Sequence, residues 1–187
     1  MTTLVRRGLV TAAAFAVVLT SCSTTHAGKG AEQGLVQAQQ QGPPPESFTD
    51  PDDVNLPLDL KTLTQASTAS TITYTVETYE PFKDDQADFS WGIDKNNDGV
   101  VDDYVSVEFE SKKLEGKFED PKENDLGKAT VTRTGPSSLR VSFSRKLIGT
   151  SLYQYRVTAL SDLNHNDEED PGETDVAPDT GFYQHRL

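Results

Sequence analysis

Residues 88–109, DFSWGIDKNNDGVVDDYVSVEF, carry the pattern that decides the fold. Phe89, Trp91 and Ile93 take every second position before an acidic loop; Val105, Val107 and Phe109 do so after it, alternating with Tyr104, Ser106 and Glu108. A period of two sends alternate side chains to opposite faces of a strand, so the stretch reads as strand, loop, strand with one face toward a core.

The rhythm extends outward in both directions. In STITYTVETY, residues 70–79, Ile72, Tyr74 and Val76 share a face against Thr71, Thr73, Thr75 and Glu77. Further strands are predicted at Leu114–Glu119, Lys128–Arg133, Leu139–Ser144 and Tyr153–Leu160, with Leu58–Thr64 as the opening strand. TGPSS, residues 134–138, supplies a reversal between two of them, since Gly135 and Pro136 accept turn dihedrals. No segment keeps a helical period over three turns. Seven to nine short strands with no helices to cover a parallel sheet predict an all-β domain, an antiparallel β-sandwich of jelly-roll type, over residues 58–187.

Upstream the composition changes twice. Arg6 and Arg7 precede an apolar run from Leu9 to Leu19, too short for a permanent membrane span, which reads as a secretory signal over residues 1–21. It ends in Leu19-Thr20-Ser21-Cys22, which resembles the bacterial lipobox, and Cys22 is the sole cysteine of the chain. The resemblance implies lipidation of Cys22 and a lipid-anchored, exported protein on the cell membrane or outer membrane, several acyl chains giving stable attachment. A twin-arginine signal is matched poorly by the flanking Val5 and Gly8-Leu9-Val10. Residues 22–57, rich in Gln, Gly, Pro, Ser and Asp, offer too little apolar area to offset chain entropy and read as a disordered tether.

Charge narrows the partners. The chain holds 30 acidic against 17 basic side chains, and loss of residues 1–21 would remove two basic groups and no acidic one. Nucleic acid is excluded by the lack of a basic surface. Divalent cations are the natural partners of such a chain, so the loop within the opening stretch invites that reading. Calcium loops of the EF-hand type place acidic or amide ligands at alternate positions around a glycine. Asp94, Asn96, Asp98, the Val100 carbonyl and Asp102 follow that order around Gly99, with Asp103 or a neighbouring loop completing the set, because Val105 stands where a bidentate Glu belongs. The alternative is a polar hairpin connection, which favours Asn, Asp and Gly for the same dihedral reasons. A second metal loop is suggested by Asp162, Asn164, Asn166, Asp170 and Glu173, although Asp167 replaces its glycine; a solvated acidic loop is the alternative, and Asp175 and Asp179 stand ready to lend oxygens to the first site.

Three stretches, DLKTLTQASTASTITYTVETY, DFSWGIDKNNDGVVDDYVSVEF and DVAPDTGFY (residues 175–183), together resemble DOMON-like β-sandwiches related to family 9 carbohydrate-binding modules, over roughly residues 52–183. The resemblance implies a jelly roll carrying calcium and recognising sugars or, in some branches, haem. Haem is not expected, since the sole methionine is Met1 and the three histidines, His26, His165 and His185, fall in tether, acidic loop and tail. A sugar needs an exposed aromatic platform. Trp91 alternates with core positions, which leaves Tyr104 as the candidate contact beside the loop, with Tyr79, Phe82 and Tyr183 as other loop aromatics.

No nucleophile elbow, glycine-rich phosphate loop or zinc-protease motif is present. The expectation is a non-catalytic binding module, not an enzyme, for a glycan or protein of the cell envelope. The alternatives are an accessory or structural lipoprotein without a small ligand, and a carboxylate-based glycoside hydrolase.

Overall fold

The computed structural model describes residues 42–110, 113–161 and 173–187. Cys22, residues 1–41 and the second acidic loop at Asp162, Asn164, Asn166 and Asp170 lie outside them, whereas Glu173 lies within. The described residues fall in the unit Ala38–Leu187.

Eleven strands form: β1 (Glu46–Thr49), β2 (Leu60–Ser67), β3 (Thr71–Thr78), β4 (Asp88–Asp94), β5 (Asp103–Glu110), β6 (Lys113–Glu119), β7 (Asp125–Gly135), β8 (Ser138–Ser144), β9 (Leu152–Leu160), β10 (Thr174–Ala177) and β11 (Tyr183–Arg186). All pairs are antiparallel and belong to one hydrogen-bonded sheet in the order β1-β2-β3-β8-β7-β6-β5-β4-β9-β10, with β11 on the same edge of β9 as β10. The expected eight strands are all there, but the count rises from the anticipated seven to nine to eleven. The pairing runs through one curled sheet, not visibly through the two separate layers expected of a sandwich.

The three additional strands, β1, β10 and β11, each have four residues. Strand β1 starts twelve residues before the expected domain boundary at Leu58, inside the stretch read as tether, and pairs Glu46–Thr49 with Gln65–Thr62 of β2. Residues 46–57 therefore belong to the folded part. A lone Phe48 gives β1 its apolar content; it stacks on Tyr183 at 4.2 Å, so ring packing across the sheet supplies what local sequence lacks.

Alternation builds the core. Ile72, Tyr74 and Val76 of β3, Phe89, Trp91 and Ile93 of β4, and Val105 and Val107 of β5 are all buried on one face. Phe109, the next in that rhythm, is 38% exposed at the far end of β5. The Tyr74 ring packs against Trp91, centroids 5.7 Å apart with the planes nearly parallel, and against Tyr155, centroids 5.0 Å apart. Fully burying one such aromatic ring stabilises the fold by roughly 1.5–3 kcal/mol. The interior is partly polar: the Tyr74 and Tyr153 hydroxyls are 2.9 Å apart and Gln65 Nε2 donates to Tyr153 Oη at 3.0 Å. Burial pushes the Tyr74 phenol well above its ordinary value, so it stays protonated and available to hydrogen-bond.

The curl brings the two ends of the sheet together. Leu60 N of β2 donates to Asp175 Oδ2 of β10 at 2.6 Å. His185 of β11 faces Glu46 of β1, Nδ1 to Oε2 3.0 Å, and Ser67 of β2, Nε2 to Oγ 3.3 Å.

Candidate functional sites: an acidic loop and an acidic seam

The β4–β5 loop is closed by its own backbone. Asp94 ends β4 fully buried, and its carboxylate accepts four amide N–H groups: Asn96, Asn97 and Asp98 on Oδ1 at 3.2, 2.6 and 3.3 Å, and Gly99 on Oδ2 at 2.8 Å. A carboxylate has about four acceptor positions, so these donors engage its capacity. The remaining acids are held as well. Asp98 Oδ1 accepts from Val100 N at 2.9 Å, Asp102 Oδ2 from Lys95 N at 2.8 Å, and Asp103 pairs with the Lys95 ammonium. Asn96 Oδ1 takes a second bond from Asp98 N at 2.9 Å.

Two residues supply the left-handed backbone that this winding needs, Asn97 at φ 60° and Gly99 at φ 86°. The acidic and amide side chains thus close the loop through backbone amides, an arrangement that the calcium loop and the hairpin alternative both accommodate. Val100, placed as a carbonyl ligand, is 64% exposed at the loop tip.

The aromatics considered as sugar platforms are mostly committed. Trp91 is core as expected. Phe82 is buried beneath the Arg133 guanidinium, 3.6 Å above its ring. Tyr79 donates its hydroxyl to the Asp50 carbonyl at 2.9 Å, and Tyr183 stacks on Phe48. Tyr104 remains half-buried, on the strand that leaves the acidic loop.

Acids do gather elsewhere, at one end of the seam where the sheet ends meet. Carboxylate oxygens of Asp50, just after β1, of Asp53, and of Asp175 in β10 lie within 4.8 Å of one another, the one such group of acids, histidines or cysteines among the described residues. Asp59, just before β2, and Asp179, just after β10, act electrostatically on the same group. Backbone bonds fix the frame: Asp50 N donates to Lys61 O at 3.0 Å, Tyr79 N to Asp59 O at 2.9 Å, and Val176 N to Asp175 Oδ1 at 2.7 Å.

Asp50 is 5% and Asp59 2% exposed, and Asp50 Oδ2 and Asp59 Oδ1 are buried with no hydrogen-bond partner among the described residues. Burial, then the carboxylates of Asp175, Asp179, Asp53 and Asp59, push Asp50 up to about 7. Burial and Asp175 push Asp59 up to about 6, and burial raises Asp175 against the two amide bonds that lower it. Crowded, dehydrated carboxylates disfavour ionisation until a proton or another cation joins them.

This group escaped the sequence reading because residues 50 and 175 meet only through the curl of the sheet. One signal was present. In TDVA, residues 174–177, the burial alternation places Asp175 inward beside Ala177, and an acid on the core face of a strand calls for a partner. Asp175 and Asp179, considered as donors to the β4–β5 loop, serve this seam instead. On the β4–β9 ladder, Asp175 pairs with Ala159 opposite Phe89, whereas Asp94 pairs with Gln154 at the other end, about 17 Å away along the strand. No family model and no curated protein sequence matches this chain.

Proposed function

We propose that the chain is an exported lipoprotein, anchored through Cys22 to membrane lipid, whose acidic β domain is a non-catalytic module binding a glycan or protein of the cell envelope. The observation that carries the module reading is the β4–β5 loop. One buried carboxylate, Asp94, holds four amides and so presents a preorganised loop with an exposed Val100 at its tip, next to half-buried Tyr104. Preorganisation lowers the entropy that ordering a loop costs on binding, which suits recognition. The resemblance to DOMON-like and carbohydrate-binding jelly rolls points the same way, as does the apolar run with a cysteine at its end. Calcium belongs to the proposal as a stabilising cation, in keeping with the acidity of the chain.

A glycan array probed with the full chain tests the module. Retention of one glycan class, weakened about tenfold or more by Tyr104→Ala or Val100→Asp with unchanged folding, is the expected result for a loop-centred site. Turnover of a polysaccharide, abolished by a single Asp→Asn change, would replace the module with a hydrolase. Radiolabelled palmitate incorporation lost in Cys22→Ala tests the anchor.

A further inference from the structure

We infer that Asp50, Asp53 and Asp175 form a calcium site that fastens the β1 end of the sheet to β10, closing the fold across its seam. The inference goes beyond the binding module and stands without knowledge of its partner. Three features carry it.

The first is span. One carboxylate oxygen from each of the three residues lies within 4.8 Å of the others, close enough for a single ion with oxygen ligands at about 2.3–2.6 Å to reach all three. The second is an unmet need. Asp50 Oδ2 is buried without a hydrogen-bond partner among the described residues, in a side chain 95% removed from solvent, and Asp59 Oδ1 beside it shares that condition. A buried acceptor of this kind normally has a partner. The side chains gathered at Asp50 are the carboxylates of Asp53 and Asp175, which bring no donor, so a cation would supply the missing partner. The third is chemistry. An all-oxygen, all-carboxylate donor set suits a hard ion and offers no nitrogen or sulfur for zinc or copper. Magnesium dehydrates reluctantly and keeps several waters, so a site offering several protein carboxylates suits calcium better.

The placement gives the ion its effect. Asp50 directly follows β1, and Asp175 already reaches across to the β2 backbone at Leu60. A cation held by both would convert mutual repulsion between the sheet ends into attraction. Tyr79 braces the same corner, with its hydroxyl on the Asp50 carbonyl and its amide on Asp59.

The full chain, freed of metal with EDTA and exchanged into buffer, is titrated with calcium chloride by calorimetry and by thermal melting. Asp53→Asn is the informative variant because Asp53 is exposed, so the fold does not rest on it. Asp175→Asn would disturb the bonds to Leu60 and Val176 and is avoided. Asp98→Asn reports on the β4–β5 loop.

Binding with a dissociation constant on the order of 0.1–1 mM is expected, weakened about tenfold or more by Asp53→Asn and less than about twofold by Asp98→Asn. At ten times the dissociation constant the melting temperature should rise by roughly 3–6 °C. A melting temperature for Asp53→Asn in EDTA no lower than that of the wild type shows that the variant folds. Absence of heat and of any melting shift up to about 10 mM calcium would overturn the site, as would calcium binding that survives Asp53→Asn.

Discussion

Two clusters of aspartate, one in the β4–β5 loop and one at the seam, share composition and differ in what surrounds them. In the loop, Asp94, Asp98 and Asp102 accept backbone amides, four of them on Asp94, and Asp103 lies against the Lys95 ammonium. At the seam, Asp50 and Asp59 are as deeply buried, yet each retains an oxygen without a partner among the described residues. A count of acids is therefore a poor guide to a cation site. What distinguishes the clusters is the supply of N–H groups. The wound backbone at Asn97 and Gly99 turns four successive amides onto Asp94, whereas at the seam Asp175 collects the amides of Leu60 and Val176 and none reaches Asp50 Oδ2 or Asp59 Oδ1.

The comparison breaks most visibly under paired neutralisation. Asp94→Ala leaves four loop amides without their acceptor and should lower stability by about 3 kcal/mol, with Asp94→Asn costing about half as much, read from urea midpoints. Asp50→Asn at pH 8 in EDTA should do the reverse and raise stability by about 1 kcal/mol, because it removes one charge from a set that repels itself. Equal signs for Asp94→Asn and Asp50→Asn would erase the distinction.

A smaller effect sharpens the loop half. A Cβ on Gly99 would meet nothing within 4 Å, so Gly99→Ala carries only the backbone cost of a left-handed φ, about 1 kcal/mol by the same denaturation. A much larger loss would mean that the loop is packed against something.

The smallest effect concerns the opposite end of β1. Burial pulls His185 below its ordinary value, more strongly than Glu46 beside it pushes it up, while Arg145 also lowers it. A histidine held neutral by folding contributes stability above its unfolded value near 6.5 that is lost as pH falls through that value toward the lower folded one. The stability difference between wild type and His185→Gln should accordingly shrink between pH 7.5 and pH 5, by less than about 1 kcal/mol. A difference that stays constant with pH would show that folding leaves the titration of the ring unshifted.

Strands with strict alternation were legible residue by residue: β3 and β4 carry their large apolar groups at every inward position. Strand ends were less so, since β7 runs Asp125–Gly135 where apolar alternation suggests only Lys128–Arg133, the ladder to β6 and β8 continuing through polar residues that packing does not mark. Strands β1 and β11 were hidden for a physical reason. ESFT and YQHR contain one aromatic each, and the inward partner in β11 is His185, a polar residue whose burial depends on Glu46 and Ser67, far away in the chain. The spacing of Asp, Asn and Gly in the loop at 94–103 reads as a calcium loop or a polar hairpin turn. Its donors could not be read, because backbone amides leave no trace in a sequence. The seam was invisible for the complementary reason, that its acids are separated by most of the domain and gathered only by curvature.

The pairing of Glu46 with His185 makes the first and last strands of the folded part neighbours. Such a fold is almost a ring, opened where its first and last strands meet. A short linker from Leu187 back to Gly42, with new ends cut between β9 and β10, should yield a permuted chain that folds alike. The same proximity lets the whole unit be spliced into a surface loop of another protein as a cassette, entering and leaving through adjacent points.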